Sequence, residues 1–461
     1  DTYKMLGQGD TEGVFQLESS GMKQVLVGLQ PQNLEDVIAL ISLYRPGPMD
    51  SIPTYLRNRH EPDKISYKTP QLAHILDVTN GCIVYQEQVM QIFRELAGFS
   101  FGQADNVRRA MSKKKHAVME AEREHFVYGC TDPGNECPGC VANGISEKVA
   151  NEIYDEMSSF ASYAFNKSHA ACYAYVAFQT AYLKCHYPSE FMAALLTSVL
   201  DNTDKVIEYS GECARLGIKV LPPDVNVSNG GFTADGSGQI RFGLNAVKNV
   251  GRNLIENVVK GRQNKPYTGL YDFCKRMHGN ELNRRAVECL IKAGAFDHLG
   301  NNRHSHVEAV EGILKSIETD SRRNLDGQLD LFSVMSGEAQ SGASEDNYEI
   351  KQLPEYSHKE LLQQEKEVSG LYLSGHPLDA YREQSARIAS HTIKDLTGED
   401  AHVKDGEKVR IVCAVVKSRM MTTKSNSMMA FTSVEDLTGT MEVIVFPKVL
   451  DLFRDALREN A

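Results

Sequence analysis

The apolar residues of this chain repeat at helical spacing through most of its length and switch to a period of two after Val409. One such switch points to a mainly helical body followed by a small sheet, because each period can bury only one kind of face. Leu34, Val37, Ile38 and Ile41 are spaced for one helix face, and Val89, Ile92, Phe93 and Leu96 for another. The loop Tyr44-Arg45-Pro46-Gly47-Pro48 is expected to separate those helices, since its prolines and glycine continue neither. Ser168 to His186 reads as a long helix closed by Pro188, with Tyr175, Phe178 and Tyr182 on one face expected to lie in the core.

Leu221-Pro222-Pro223-Asp224 reads as a boundary, followed by a hairpin from Phe232 to Phe242 with an Asp235-Gly236 turn and by short helices to about Leu299. Ser336 to Asp346 has a linker's composition. Val409, Ile411, Cys413 and Val415 alternate, as do Met441, Val443 and Val445, the pattern of strands opening a small β-barrel. The chain ends before enough strands exist to close it. A length of 461 residues exceeds one core, and two to four domains are expected.

Hydrophobic residues make up 41% and charged residues 24%, which is ordinary for a globular protein, and no segment is apolar enough to span a bilayer. No signal peptide is evident. The formal net charge of -11 argues against coating nucleic acid by bulk electrostatics, so any such contact must use local basic patches. Ten scattered cysteines without a secretory context fit a reducing cytoplasm better than a disulfide framework.

Five constellations could carry chemistry. In Arg108-Arg109-Ala110-Met111-Ser112-Lys113-Lys114-Lys115, a helix puts Arg108, Ser112 and Lys115 on one face and Arg109 beside Lys113. So many adjacent cations suit a triphosphate or a DNA backbone, and a solvated basic face is the alternative. Asn166-Lys167-Ser168-His169 opens the long helix, whose free N–H groups with Lys167 and His169 could bind phosphate; a plain Ser168 N-cap is the alternative.

The third constellation is a pair of hairpins, one through Lys248-Asn249-Val250-Gly251 and one through Lys292-Ala293-Gly294-Ala295-Phe296. Short helices joined by a glycine turn present N–H groups to phosphates without reading bases, and Arg252, Arg284 and Arg285 lie nearby in sequence. The fourth, Gln328-Leu329-Asp330-Leu331-Phe332, places two apolar anchors in a polar stretch, as a segment docking into a partner's pocket would. The fifth is Cys130, Cys137 and Cys140, with zinc-ligand spacing in the Cys-Pro-Gly-Cys turn. A tetrahedral site needs a fourth ligand, His125 or His116, and an unliganded reduced loop stands as the alternative. No Asp-x-Asp pair, Walker loop, nucleophile elbow or His-Glu-x-x-His helix occurs, so the sequence carries no complete active site that can be read from motifs.

Seven segments together resemble one family. They are Gly13-Val14-Phe15-Gln16-Leu17-Glu18-Ser19, Tyr44-Arg45-Pro46-Gly47-Pro48-Met49, Tyr85-Gln86-Glu87-Gln88-Val89-Met90, Arg108-Arg109-Ala110-Met111, Phe165-Asn166-Lys167-Ser168-His169, Tyr187-Pro188-Ser189-Glu190-Phe191-Met192-Ala193-Ala194 and Ser374-Gly375-His376-Pro377-Leu378. In this order they resemble the C-family bacterial replicative polymerases, the DNA polymerase III alpha subunits, over essentially the whole length.

The resemblance implies fingers at 1–200, with an edge of palm, and a tandem helix-hairpin-helix domain at 201–320. A linker with a clamp-binding motif follows at 321–350, then a connecting helical segment at 351–405 and the start of an OB-fold barrel at 406–461. It implies that Arg45, Arg108, Arg109, Ser112, Lys113 to Lys115 and Asn166 to His169 face the incoming nucleotide and the primer–template. Lys248 to Arg252, Arg284, Arg285, Lys292 and Gly294 would grip duplex DNA, and Gln328 to Phe332 would dock the β sliding clamp. Other holoenzyme subunits are further implied partners.

The implied reaction is primer extension with deoxynucleoside triphosphates, using Mg²⁺ held by palm aspartates outside this sequence. This piece is therefore expected to be inactive alone. Asn249 departs from the family pattern where the first hairpin usually has a glycine, and the cysteine loop looks like an insertion. Two other readings are a non-catalytic DNA- and clamp-binding module and an error-prone C-family relative.

Overall fold

The computed structural model describes residues 1–46, 48–112, 116–161, 165–325, 348–397, 403–422 and 427–457. It divides into two compact units, Asp1–Tyr187 and Pro188–Ala461. The break lies at Pro188, the residue expected to close the long helix, and it assigns the helices Pro188–Ser198 and Thr203–Arg215 to the second unit.

The first unit is helical and holds two apolar clusters. In one, the helix Leu34–Leu43 buries Val37, Ile38 and Ile41 as the periodicity predicts, with Leu34 partly buried, and it buries the residues between them as well, from Asp36 to Leu43. Asn33 caps it by accepting the Asp36 N–H at 3.0 Å. Pro48–Ser51 and Ile52–His60 follow the Tyr44–Pro48 loop, and further short elements precede the helix Gln86–Ala97, so the loop does not join the two predicted helices directly.

The partner packed on Leu34–Leu43 is the helix Lys167–His186, and of its expected core face only Phe178 is half-buried, against the Tyr3 ring at 4.9 Å. Its buried positions are Ala170, Ala174, Ala177, Ala181 and Lys184, while Tyr175 is 58% and Tyr182 44% exposed. Alanines let two helices approach closely, and a ring at those positions would hold them apart. Buried Lys184 keeps its charge satisfied through Asp10 at 3.2 Å and the Glu12 carbonyl at 2.9 Å.

The other cluster gathers Val89, Ile92, Phe93 and Leu96 against Phe126 and Tyr154, with the Phe93 and Phe126 rings edge-on at 4.9 Å. Gln88 fixes the start of this helix. Its amide oxygen accepts from Val84 and Tyr85 N–H, and its nitrogen donates to the Ile75 carbonyl and to Thr79.

The second unit opens with a helical core that runs from Met192 to Leu373. The expected hairpin is present as β2 (Thr233–Ala234) antiparallel to β3 (Ile240–Arg241), and β1 (Val220–Leu221) adds a parallel strand that the sequence pattern did not reveal. Near the C-terminus β4 (Ala414–Thr422), β5 (Met428–Glu435) and β6 (Thr440–Val445) form an antiparallel sheet in that order, as the opening of an OB-fold barrel requires.

The first of these strands starts later than the alternation suggested. Residues 409–413 lie outside it, although Ile411 and Cys413 still pack on the Ile393–Val415–Val434 cluster. Among the described residues, no helix is long and apolar enough to cross a membrane.

Candidate nucleic-acid and nucleotide interface

Two sequence motifs of the first unit, far apart in the chain, converge on the Gln86–Glu87 pair. Arg108, on the helix Phe101–Ser112, donates to the Gln86 side-chain oxygen at 3.0 Å. Glu87 accepts from the Asn166 amide at 3.0 Å and from the Lys167 N–H at 3.2 and 3.1 Å. A pocket of about 440 Å³ lies between them, lined by Gln86, Glu87, Arg94, Phe101, Arg108 and Asn166 among others.

Lys167 reaches the Glu35 carboxylate at 3.0 Å, and the Arg45 guanidinium lies 4.1 Å from the Phe165 ring centre. His169 sits between the rings of Phe165 and Tyr173. The cap of the long helix is Asn166, which accepts the His169 N–H at 2.9 Å; Ser168 is exposed and caps nothing.

The basic run carries its own counter-charge one turn earlier. Asp105 pairs with Arg108 at 2.8 Å and with Arg109 at 2.8 Å. The Arg108 hydrogen bond, aided by both cations, holds the Asp105 carboxyl below the usual carboxylate range. The helix is described as far as Ser112; the Ser112 side chain and Lys113, Lys114 and Lys115 lie outside the described residues. Sequence reasoning missed Gln86, Glu87, Arg94 and Asp105 as site residues. Gln86 and Glu87 stand inside a segment already singled out, which was the available signal.

In the second unit the first hairpin differs from the expected pair of helices. Its leading limb is a single 3-10 turn, Leu244–Ala246, and only the following limb, Arg252–Asn264, is a helix. Asn249 takes the left-handed conformation at φ 62°, which asparagine tolerates better than most residues, so the turn closes without glycine. The Lys248 N–H is not open to a phosphate, because it donates to the Val368 carbonyl at 2.8 Å.

The Lys248 ammonium donates to the Glu367 carbonyl at 3.0 Å, and Lys292 lies 3.4 Å from the Glu367 carboxylate. The two hairpins therefore meet at one residue, and Asn249 further reaches the Cys289 sulfur at 3.5 Å. Gly294 turns the second hairpin at φ 86°. Arg252 forks onto Asp201 at 2.9 and 2.8 Å, Arg284 pairs with Glu288 and Glu311, and Arg285 is exposed.

The β4–β5–β6 sheet offers a basic and aromatic face that the sequence pattern did not reveal. Lys417, Arg419, Met421, Phe431, Ser433 and Glu442 line a pocket of about 420 Å³ on it. On β5 and β6 alternation turns Phe431, Ser433 and Glu442 away from the side that buries Val434 and Val443. On β4 a bulge between Val415 and Lys417 switches the face, so that Lys417, Arg419 and Met421 join them although they share the parity of buried Val415.

The cysteine loop does not form the expected metal site. Cys130 and Cys137 pair through their backbones, each N–H donating to the other's carbonyl at 2.9 Å. Among the described residues the three sulfurs do not gather into a metal-ligand group, with or without His125. Burial pushes the Cys137 thiol up and the Cys140 thiol up to about 12. The Gln328–Phe332 motif lies outside the described residues.

Residues 1–134 match the model of the bacterial DNA polymerase III alpha subunit finger domain, and residues 217–306 match a helix-hairpin-helix motif. Similar proteins over the whole chain include DNA polymerase III subunit alpha of Bacillus subtilis, 40% identical with 39% of that protein covered. The Thermus aquaticus protein of the same name is 41% identical with 36% covered, and that of Escherichia coli K12 is 38% identical with 39% covered. The chain thus spans about two fifths of the length of the curated relatives it matches.

Proposed function

We propose that this chain, similar over its whole length to bacterial DNA polymerase III alpha subunits, serves template-directed primer extension as the part that holds nucleotide and primer–template. The observation that carries this reading is the convergence of Arg108, Asn166 and Lys167 on Gln86–Glu87 around one pocket. A phosphate group entering there meets the guanidiniums of Arg94 and Arg108 and the N-terminal end of a helix at Asn166. The acids now paired with these groups keep the cations ordered, and the substrate's greater charge displaces them.

The two hairpins, joined at Glu367, hold the duplex without reading its bases, and Lys248, Arg252, Arg285 and Lys292 supply the positive charge. The basic and aromatic face of the sheet takes single-stranded template, Phe431 stacking a base while Lys417 and Arg419 meet the backbone. Gln328 to Phe332 docks the sliding clamp, which places the chain among the other replicative subunits. The Mg²⁺ that primer extension needs is assigned to no residue of this sequence, which has no Asp-x-Asp pair.

The test is titration of the chain with a deoxynucleoside triphosphate and with primer–template DNA, comparing wild type with Arg94→Ala plus Arg108→Ala, the two guanidiniums that line the pocket. Removing two charge-assisted hydrogen-bond donors should weaken triphosphate binding roughly tenfold or more at low salt. Unchanged binding in the folded double variant overturns the assignment.

A further inference from the structure

The sheet of the second unit is joined to its helical body by a buried polar cluster. The core that runs from Met192 to Leu373 contains no residue of β4, β5 or β6. The sheet's apolar side chains gather instead in two small clusters, one around Ile393, Val415 and Val434 and one around Ala430, Val445 and Leu450. The helix Ile393–Thr397 travels with the sheet, since the Ile393 N–H donates to Asp436 at 2.7 Å and the Lys394 N–H to Thr438 at 3.1 Å. Between that helix and the helical body run Asp379–Tyr381 and Arg382–Ile388, neither of which has a buried residue.

Across this exposed connection one charged group is taken out of water. Glu435, at the end of β5, is only 5% exposed. Its carboxylate accepts from the Lys366 ammonium and, at 2.5 Å, from the Tyr372 hydroxyl. Lys366 stands on the helix His358–Ser369, and its nitrogen also lies over the Tyr372 ring at 4.4 Å. That helix is fastened to the helical body through buried Glu365, which accepts from Arg303 at 2.9 Å. A buried carboxylate is held in place only while its partners remain, and water replaces them readily once the surfaces part. Such a contact has two states, whereas continuous apolar packing would have one.

We propose that Glu435, Lys366 and Tyr372 form a latch fixing the orientation of the β4–β5–β6 sheet on the helical body. Its closed state aligns the sheet's basic and aromatic face with the hairpins, so that both engage one junction of duplex and single strand. That consequence rests on the nucleic-acid reading proposed above; the latch itself does not. Lys366 and Glu435 are positioning residues and touch no nucleic acid.

The test uses the full chain with a donor–acceptor dye pair at Glu308 and Lys448, both exposed and on opposite sides of the connection. In wild type the inter-dye distance distribution should be narrow. Lys366→Met strands a buried carboxylate and should broaden the distribution most. Glu435→Gln leaves a lysine whose side chain is already 27% exposed and can hydrate, and should broaden it less. The exchange Lys366→Glu with Glu435→Lys should narrow it again. Unchanged distributions in both single variants overturn the latch.

With a duplex bearing a single-stranded 5′ extension, the single variants should bind roughly tenfold more weakly, as expected when two linked binding surfaces become independent, while blunt duplex binding holds. Equal wild-type affinity for extended and blunt duplex would sink the nucleic-acid reading while the distance measurement still decided the latch.

Discussion

Arg108 and Asp105 form a close ion pair, with the guanidinium Nε donating to the carboxylate at 2.9 Å and a second nitrogen at 2.8 Å. Arg109 approaches the other oxygen of the same carboxylate at 2.8 Å. The basic run therefore does not stand as bare positive charge. It is ordered by one acid, and Gln86 sets the direction in which Arg108 points.

The Asp105 carboxyl should titrate below the usual carboxylate range, because hydrogen bonding to Arg108 favours its charged form. A depressed folded value means that this interaction stabilises the fold above the unfolded carboxyl's pKa, near ~4, and is lost as pH falls through the folded value. Arg108→Ala should move the Asp105 titration upward in a carbon-detected NMR series. No movement would mean that the pair does not form in solution.

Gly294→Ala should destabilise the second unit by about 1–3 kcal/mol, through an L residue forced into left-handed backbone and a clash. The glycine has φ 86°, and an added Cβ would fall 2.5 Å from an Arg303 nitrogen and 2.9 Å from an Asp297 oxygen. Those two groups are themselves a buried-side ion pair at 2.7 Å, so neither yields freely. Denaturant unfolding monitored by circular dichroism checks the size of the effect.

Lys248→Ala with Arg252→Ala should weaken duplex binding for all sequences alike and reduce the magnitude of the salt slope by about 2, one for each phosphate that is no longer neutralised. Both residues have internal partners, the Glu367 carbonyl and Asp201, and the fold does not depend on either exposed pair. A slope equal to that of wild type would count against the hairpins as the duplex grip.

Leu331→Ala with Phe332→Ala should abolish binding to a purified bacterial sliding clamp while leaving duplex affinity intact. Surface plasmon resonance on immobilised clamp would measure it. Clamp affinity retained by the double variant would remove the role given to Gln328–Phe332.

By itself the sequence determined which segments are helical and where the period changes. Val89, Ile92 and Phe93 are buried as their spacing required, because a helix with one apolar stripe has one stable orientation, whereas Val37, Ile38 and Ile41 lie in a helix buried on every side from Asp36 to Leu43. It also carried the family resemblance, through seven ordered segments, and residues 1–134 match the finger-domain model. Tertiary structure alone decided the rest. The helix Lys167–His186 has apolar residues on more than one face, so periodicity could not choose, and close packing on Leu34–Leu43 selected the alanines over Tyr175 and Tyr182. Asn249 could be questioned from sequence, but only the fold put it at φ 62°.

The thiols of Cys130, Cys137 and Cys140 have ligand spacing along the chain, which constrains separation in sequence and not direction in space. The meeting of Arg108, Asn166 and Lys167 at Gln86–Glu87, and of Lys366 with Glu435, joins residues dozens of positions apart. Coulomb and hydrogen-bond energies depend on distance through space, and that distance exists only once the chain has folded.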